Sequence, residues 1–87
     1  MVSYRLLFKE SVAKDLRPAP KADVARIVRP IEALAENPRP GGCEKLSRQE
    51  KYRVRQGVYR IIYQVDDEQR VVVVVKVGHR HEVYRQR

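Results

Sequence analysis

The stretch Tyr52-Arg-Val-Arg-Gln-Gly-Val-Tyr-Arg-Ile-Ile-Tyr-Gln-Val65, followed after Asp66-Asp-Glu-Gln-Arg70 by Val71-Val-Val-Val-Val-Lys-Val77, reads as three consecutive β-strands. Polar and apolar residues alternate at the two-residue period of a half-buried strand over Tyr52 to Arg55 and Tyr59 to Val65. Val and Ile dominate, and the links at Gln56-Gly57 and Asp66 to Arg70 are short, so an antiparallel meander is expected. Side chains alternate between faces, which puts Arg53 and Arg55 on one side and Tyr52 and Val54 on the other. With Gln56-Gly57 as a two-residue turn, Arg53 lies across from Arg60 and Val54 across from Tyr59. Three arginines, Arg53, Arg55 and Arg60, then share the outward face.

Upstream, Val2 to Lys9 has strand length and pattern, and Glu10-Ser11 followed by Val-Ala-Lys-Asp-Leu turns into a short helix. Pro18 and Pro20 interrupt it, because each lacks an N–H and biases its predecessor away from helical dihedrals. A second helix begins near Lys21, with Val24, Ile27, Val28, Ile31, Leu34 and Ala35 forming an amphipathic stripe that packs on the sheet. Pro30 lies inside that stripe and predicts a bend or break near Arg26 to Arg29. Asn37-Pro38 and Pro40-Gly41-Gly42 end the helix. The order β-α-α-β-β-β implies one α+β domain over residues 1–87: an antiparallel sheet with two N-terminal helices packed on one face.

Composition narrows the function. The 87 residues carry 19 Lys and Arg against 11 Asp and Glu, a formal net charge of +8. Residues 1–43 hold eight basic and five acidic side chains (+3), and residues 44–87 eleven and six (+5), so the excess lies in the strand half. Clustered basic charge of this kind favours a polyanionic partner, nucleic acid or acidic protein. The longest apolar run, Val71 to Val75, is far below the roughly 20 residues of a membrane-spanning helix, and the N-terminus has no apolar secretory segment. A soluble, cytoplasmic protein without a membrane partner is expected. The single cysteine, Cys43, cannot form an internal disulfide, and metal-binding residue types are too sparse for a structural zinc site. Neither metal nor cofactor is expected.

Like charges facing each other across a strand pair are destabilising. The arginine face therefore either solvates the outside of the sheet or binds phosphate, for which the planar guanidinium fork is suited. The C-terminal stretch Gly78-His-Arg-His-Glu-Val-Tyr84-Arg-Gln-Arg is dense in titratable groups. Imidazole is the side chain best suited to proton transfer near neutral pH, which makes His79 and His81 candidates for that role.

The strand run from Tyr52 to Val65, Val71 to Val77, Val77-Gly-His-Arg80, Glu82-Val-Tyr84 and the earlier Ile31-Glu-Ala-Leu-Ala-Glu-Asn-Pro-Arg-Pro40 together closely resemble the RelE branch of the RelE/ParE toxin superfamily. The resemblance covers nearly the whole chain, and its specificity lies in the ordered set of motifs. It implies the toxin of a type II toxin-antitoxin system, a metal-independent endoribonuclease that cleaves messenger RNA in the ribosomal A site, close to ribosomal RNA. The implied reaction is attack of a ribose 2′-hydroxyl on the adjacent phosphate. The implied partner is a cognate antitoxin that wraps the toxin, the complex reaching operator DNA through the antitoxin.

By the same resemblance Arg53, Arg55, Arg60, Arg80 and Tyr84 are the catalytic positions. Lys45, Arg48, Lys51, Lys76 and Arg85 stand as further RNA contacts. Where some relatives have lysines on the second strand, this chain has Arg53 and Arg55, and a guanidinium is a poor base. The general base is therefore open, with His79 or His81 as the hypothesis. The alternatives on the same fold are a ParE-like inhibitor of DNA gyrase and a catalytically weak toxin acting as an antitoxin-bound operon co-regulator.

Overall fold

A computed structural model describes residues 3–46 and 50–79. Seven elements follow in order: β1 (Arg5–Phe8), α1 (Glu10–Leu16), α2 (Lys21–Ala33), β2 (Glu44–Lys45), β3 (Lys51–Gln56), β4 (Tyr59–Asp66) and β5 (Val71–His79). The strands form one sheet in the order β1-β5-β4-β3-β2. β2 to β5 pair antiparallel, and the first strand joins β5 in parallel, Arg5 beside Val71 through Phe8 beside Val74. The α+β class with two helices on one face is as the sequence implies. The short β2 is an addition to the four strands expected.

The core lies between that helical layer and one face of the sheet. Val12 of α1 and Ile27, Ile31 and Leu34, a stripe at helical spacing, meet Tyr52, Val54, Ile61, Tyr63, Val65, Val72, Val74 and Val77. Tyr63 is fully buried, stacks on Tyr52 and donates its hydroxyl to the Pro38 carbonyl at 2.7 Å. Burial pushes that phenol up from its ordinary value. Pro30 does not break α2, which runs unbroken from Lys21 to Ala33. The hydrogen bond it removes would have ended on Arg26, an exposed residue whose carbonyl can turn to water.

Two details of register differ from the sequence reading. The β3–β4 turn is Gly57-Val58, with Gly57 at φ 59° in the first central position, where a type II′ turn needs a positive φ. Arg55 therefore lies opposite Arg60, and Arg53 opposite Ile62. The slip is two residues, so every side chain keeps the face expected of it.

The second detail is a bulge in β5. Ile62 pairs with Lys76 and Tyr63 with Val74, leaving Val75 as an extra residue. Beyond it the alternation is inverted: Val72 and Val74 face the core before the bulge, Val77 and His79 after it.

The edge of β5 beyond the first strand is closed by α1. Asp15 accepts the Val77 N–H at 3.1 Å, Ser11 Oγ reaches the Val75 carbonyl at 3.4 Å, and Lys9 N–H bonds Val74 O at 3.0 Å. A short helix thus replaces a neighbouring strand as partner for edge groups that would otherwise be unpaired. Among the described residues no helix covers the opposite face of the sheet, and that face holds the candidate site.

Candidate active site on the open sheet face

The pairing brings Arg53, Arg55 and Arg60 onto the open face, with Arg55 and Arg60 directly opposed. Their environments differ. Arg55 is exposed, the Arg53 side chain is 17% exposed, and Arg60 is only 5% exposed between β3 and β5. A buried guanidinium beside a second one is costly unless negative charge compensates it.

Glu44 supplies such charge. It lies opposite Arg53 on β2, and its Oε1 accepts from Arg53 Nη2 at 3.0 Å. That hydrogen bond, with the fields of Arg53, Arg55 and Arg60, holds the Glu44 carboxyl below the usual carboxylate range. Nothing in the sequence singles Glu44 out, because a two-residue strand is shorter than the period by which strands are recognised.

The remaining candidates distribute as follows. Lys51 pairs with Gln64 on the open face. Lys76 lies opposite Ile62, but its ammonium is drawn to Asp15 Oδ1 at 3.1 Å, at the α1 edge. Lys45 pairs with Tyr52, a core-facing position, and its Nζ is 3.1 Å from Glu50. His79 does not join the arginines. It pairs with Tyr59 on the helix-facing side, its ring edge-on to Tyr59 with centroids 6.1 Å apart. The Val75 bulge is the reason, since an unbroken alternation would have turned His79 to the open face. Arg48, Arg80, His81, Tyr84 and Arg85 lie outside the described residues.

A second charged cluster braces β3 from the helix side. Arg39, in the loop after α2, donates from Nε to the Tyr52 hydroxyl at 2.8 Å, from Nη2 to Glu50 at 3.0 Å and to Asp67 Oδ2 at 2.8 Å, and from Nη1 to Asp67 Oδ1 at 3.1 Å. Tyr4 donates to Asp67 Oδ1 at 2.6 Å and Tyr52 to Glu50 Oε2 at 2.7 Å. The knot ties the N-terminal segment, the loop before β2, the start of β3 and the β4–β5 turn together, holding the strand that carries Arg53 and Arg55. Bonds from Arg39 first and Tyr4 second hold Asp67 below its ordinary value, and bonds from Tyr52 and Lys45 do the same for Glu50. A carboxyl depressed in the folded chain stabilises it above its unfolded pKa of about 4, and loses that contribution as pH falls. Asp67→Asn is expected to lower the melting temperature at pH 7, with the difference from wild type shrinking as pH falls below the unfolded carboxyl value of about 4. A pH series of thermal melts checks this; an equal difference at both ends would contradict it.

The model of a protein family, the ParE toxin of the type II toxin-antitoxin system parDE, matches residues 6–84. The chain is similar to toxin RelG of Mycobacterium tuberculosis, 31% identical over 94% of this chain and 97% of that one. Among solved structures it resembles the archaeal RelE-RelB complex from Pyrococcus horikoshii (TM-score 0.79, 28% identity, 91% of this chain and 97% of that one). The intact Escherichia coli RelBE toxin-antitoxin complex is similar at TM-score 0.77 and 29% identity, over 88% of this chain and 96% of the other.

Proposed function

The chain belongs to the ParE toxin family of type II toxin-antitoxin systems, on its RelE branch, and from that premise we propose that it is a ribosome-dependent endoribonuclease acting on messenger RNA. The observation that carries this reading is the convergence of Arg53, Arg55 and Arg60 with Glu44 on an open sheet face. Cleavage by 2′-hydroxyl attack needs a proton acceptor for that hydroxyl, positive charge on the phosphorane and a proton for the leaving 5′-oxygen. The arginines meet the second need, and their fork geometry suits two non-bridging oxygens at once.

We assign the first need to Glu44 rather than to His79, which lies on the helix-facing side. Glu44 is ionised at neutral pH and among the arginines, and phosphate entering the site competes for Arg53 and frees the carboxylate to take the proton. In this reading Arg80 supplies further charge and Tyr84 a proton for the leaving oxygen, the roles that the family resemblance implies for them. No metal is assigned a step.

Glu44→Gln separates two roles. Glutamine still accepts a hydrogen bond from Arg53 but cannot take a proton, so cleavage is expected to fall roughly 10²–10⁴-fold if Glu44 is the base. Cleavage within a few-fold of wild type would reduce Glu44 to orienting Arg53.

The partner in this reading is a cognate antitoxin that neutralises the basic face with acidic side chains. Primer extension on a defined message in a reconstituted translation reaction, with and without ribosomes, tests the function. Cleavage confined to the ribosome-containing reaction is expected. An intact message together with inhibition of DNA supercoiling would instead favour a gyrase-directed toxin.

A further inference from the structure

The open face does not end at the arginines. Four residues along β4 from Arg60, about 13 Å at strand rise, Gln64 lies between Lys51 on β3 and Val73 on β5, with Leu7 of the first strand beyond Val73. Here the face sinks into an open hollow of about 420 Å³, walled by Leu7, Val71 and Val73 and edged by Gln64, Asp66 and Arg5. Leu7 is 47% exposed, a large apolar side chain on the rim of the hollow. The Gln64 amide makes no hydrogen bond among the described residues, and Asp66 spends one carboxylate oxygen on the Gln69 N–H at 3.0 Å.

These features select a ligand class. Apolar walls suit a flat, neutral body, and the Asp66 and Glu50 carboxylates set against the single Arg5 guanidinium leave the hollow without the positive excess that a phosphate needs. The Gln64 amide offers a donor beside an acceptor, the pattern complementary to an amino group next to a ring nitrogen. Building on the nuclease reading, we propose that the hollow around Gln64 binds one nucleobase of the RNA strand, a neighbour of the nucleotide being cut, and favours an adenine there. The arginine rows hold the scissile phosphate while the same sheet face, further along β4, reads the strand. Sequence preference then resides in Gln64 and the apolar walls, apart from the reacting groups.

Two measurements on the full chain test this and separate it from the nuclease reading. In the first, messages on programmed ribosomes carry adenine or uracil at each position flanking the cut. At one flanking position wild type is expected to favour adenine by roughly fivefold to a hundredfold, and Gln64→Ala to bring that ratio within about twofold. A wild type without preference, or a Gln64→Ala variant that keeps it, overturns the proposal.

In the second, an uncleavable 2′-O-methyl trinucleotide containing adenine is titrated into ¹⁵N-labelled protein. The Gln64 side-chain amide signal is expected to shift, and an abasic analogue to leave it in place. A shift without any cleavage on ribosomes would keep the base site and remove the nuclease reading. Cleavage with a silent Gln64 signal would keep the nuclease and remove the base site.

Discussion

Arg60→Ala slows message cleavage roughly 10²–10³-fold in the expected outcome, the loss typical when one preorganised donor to a developing anion is removed. Arg60 is the most buried of the three arginines, at 5% exposed, set opposite Arg55 on β3 and Gly78 on β5. A charge held in so dry a position is little screened from a phosphate brought against it. Gly78 leaves the third strand of that row without a side chain. Arg60→Lys keeps the charge and loses the planar fork, so an intermediate rate is expected from it. Rates from primer extension, with thermal melts to establish that both variants are folded, check the pair. Wild-type cleavage by a folded Arg60→Ala protein would move the phosphate elsewhere on the molecule.

The largest effect on stability is expected from two adjacent isoleucines that the sheet sends in opposite directions. Ile61 is fully buried against the helices, whereas Ile62 lies on the open face and is only partly covered. Ile61→Ala removes buried methyl groups and leaves a cavity, costing about 2–5 kcal/mol. In a domain of 87 residues, whose total stability is of the order of 4–13 kcal/mol at 0.05–0.15 kcal/mol per residue, that is a large share. A fall in melting temperature of about 10 °C or more follows for a domain of this size. Ile62→Ala has no such cavity to open and is expected to cost about 1 kcal/mol or less. Thermal or urea unfolding of both variants decides it. Equal losses would mean that the facing of β4, and with it the grouping of the arginines, is wrong.

The facing of β3 and β4 was legible because Tyr52-Arg-Val-Arg55 and Arg60-Ile-Ile-Tyr63 mix charged and apolar residues within each strand. Which arginine faces which was not, since Gln56-Gly57 and Gly57-Val58 both make two-residue turns. Only the positive φ of Gly57 in first place separates them. The bulge at Val75 was hidden for a different reason: five consecutive valines carry no alternation, so an extra residue leaves no trace. That one residue turned His79 to the helix side and away from the chemistry proposed for it.

Glu44 and Arg39 were hidden by length and distance. The first sits on a two-residue strand, and the second joins Tyr52, Glu50 and Asp67 across separations that no local pattern encodes. The parallel pairing of β1 with β5 is likewise a tertiary choice. It places the N-terminal strand at the sheet edge beside the apolar β5, and so brings Leu7 to the hollow next to Gln64.

In the proposed reaction, arginines on the open face stabilise attack by the message's own 2′-hydroxyl. The most direct test replaces that hydroxyl with hydrogen in a single nucleotide at the mapped cut, in a message otherwise unchanged, on programmed ribosomes with wild-type protein. Cleavage at that linkage is expected to be lost while neighbouring sites are still cut. Cleavage at the 2′-deoxy linkage at an undiminished rate would contradict it, because the attacking oxygen would then have to come from elsewhere.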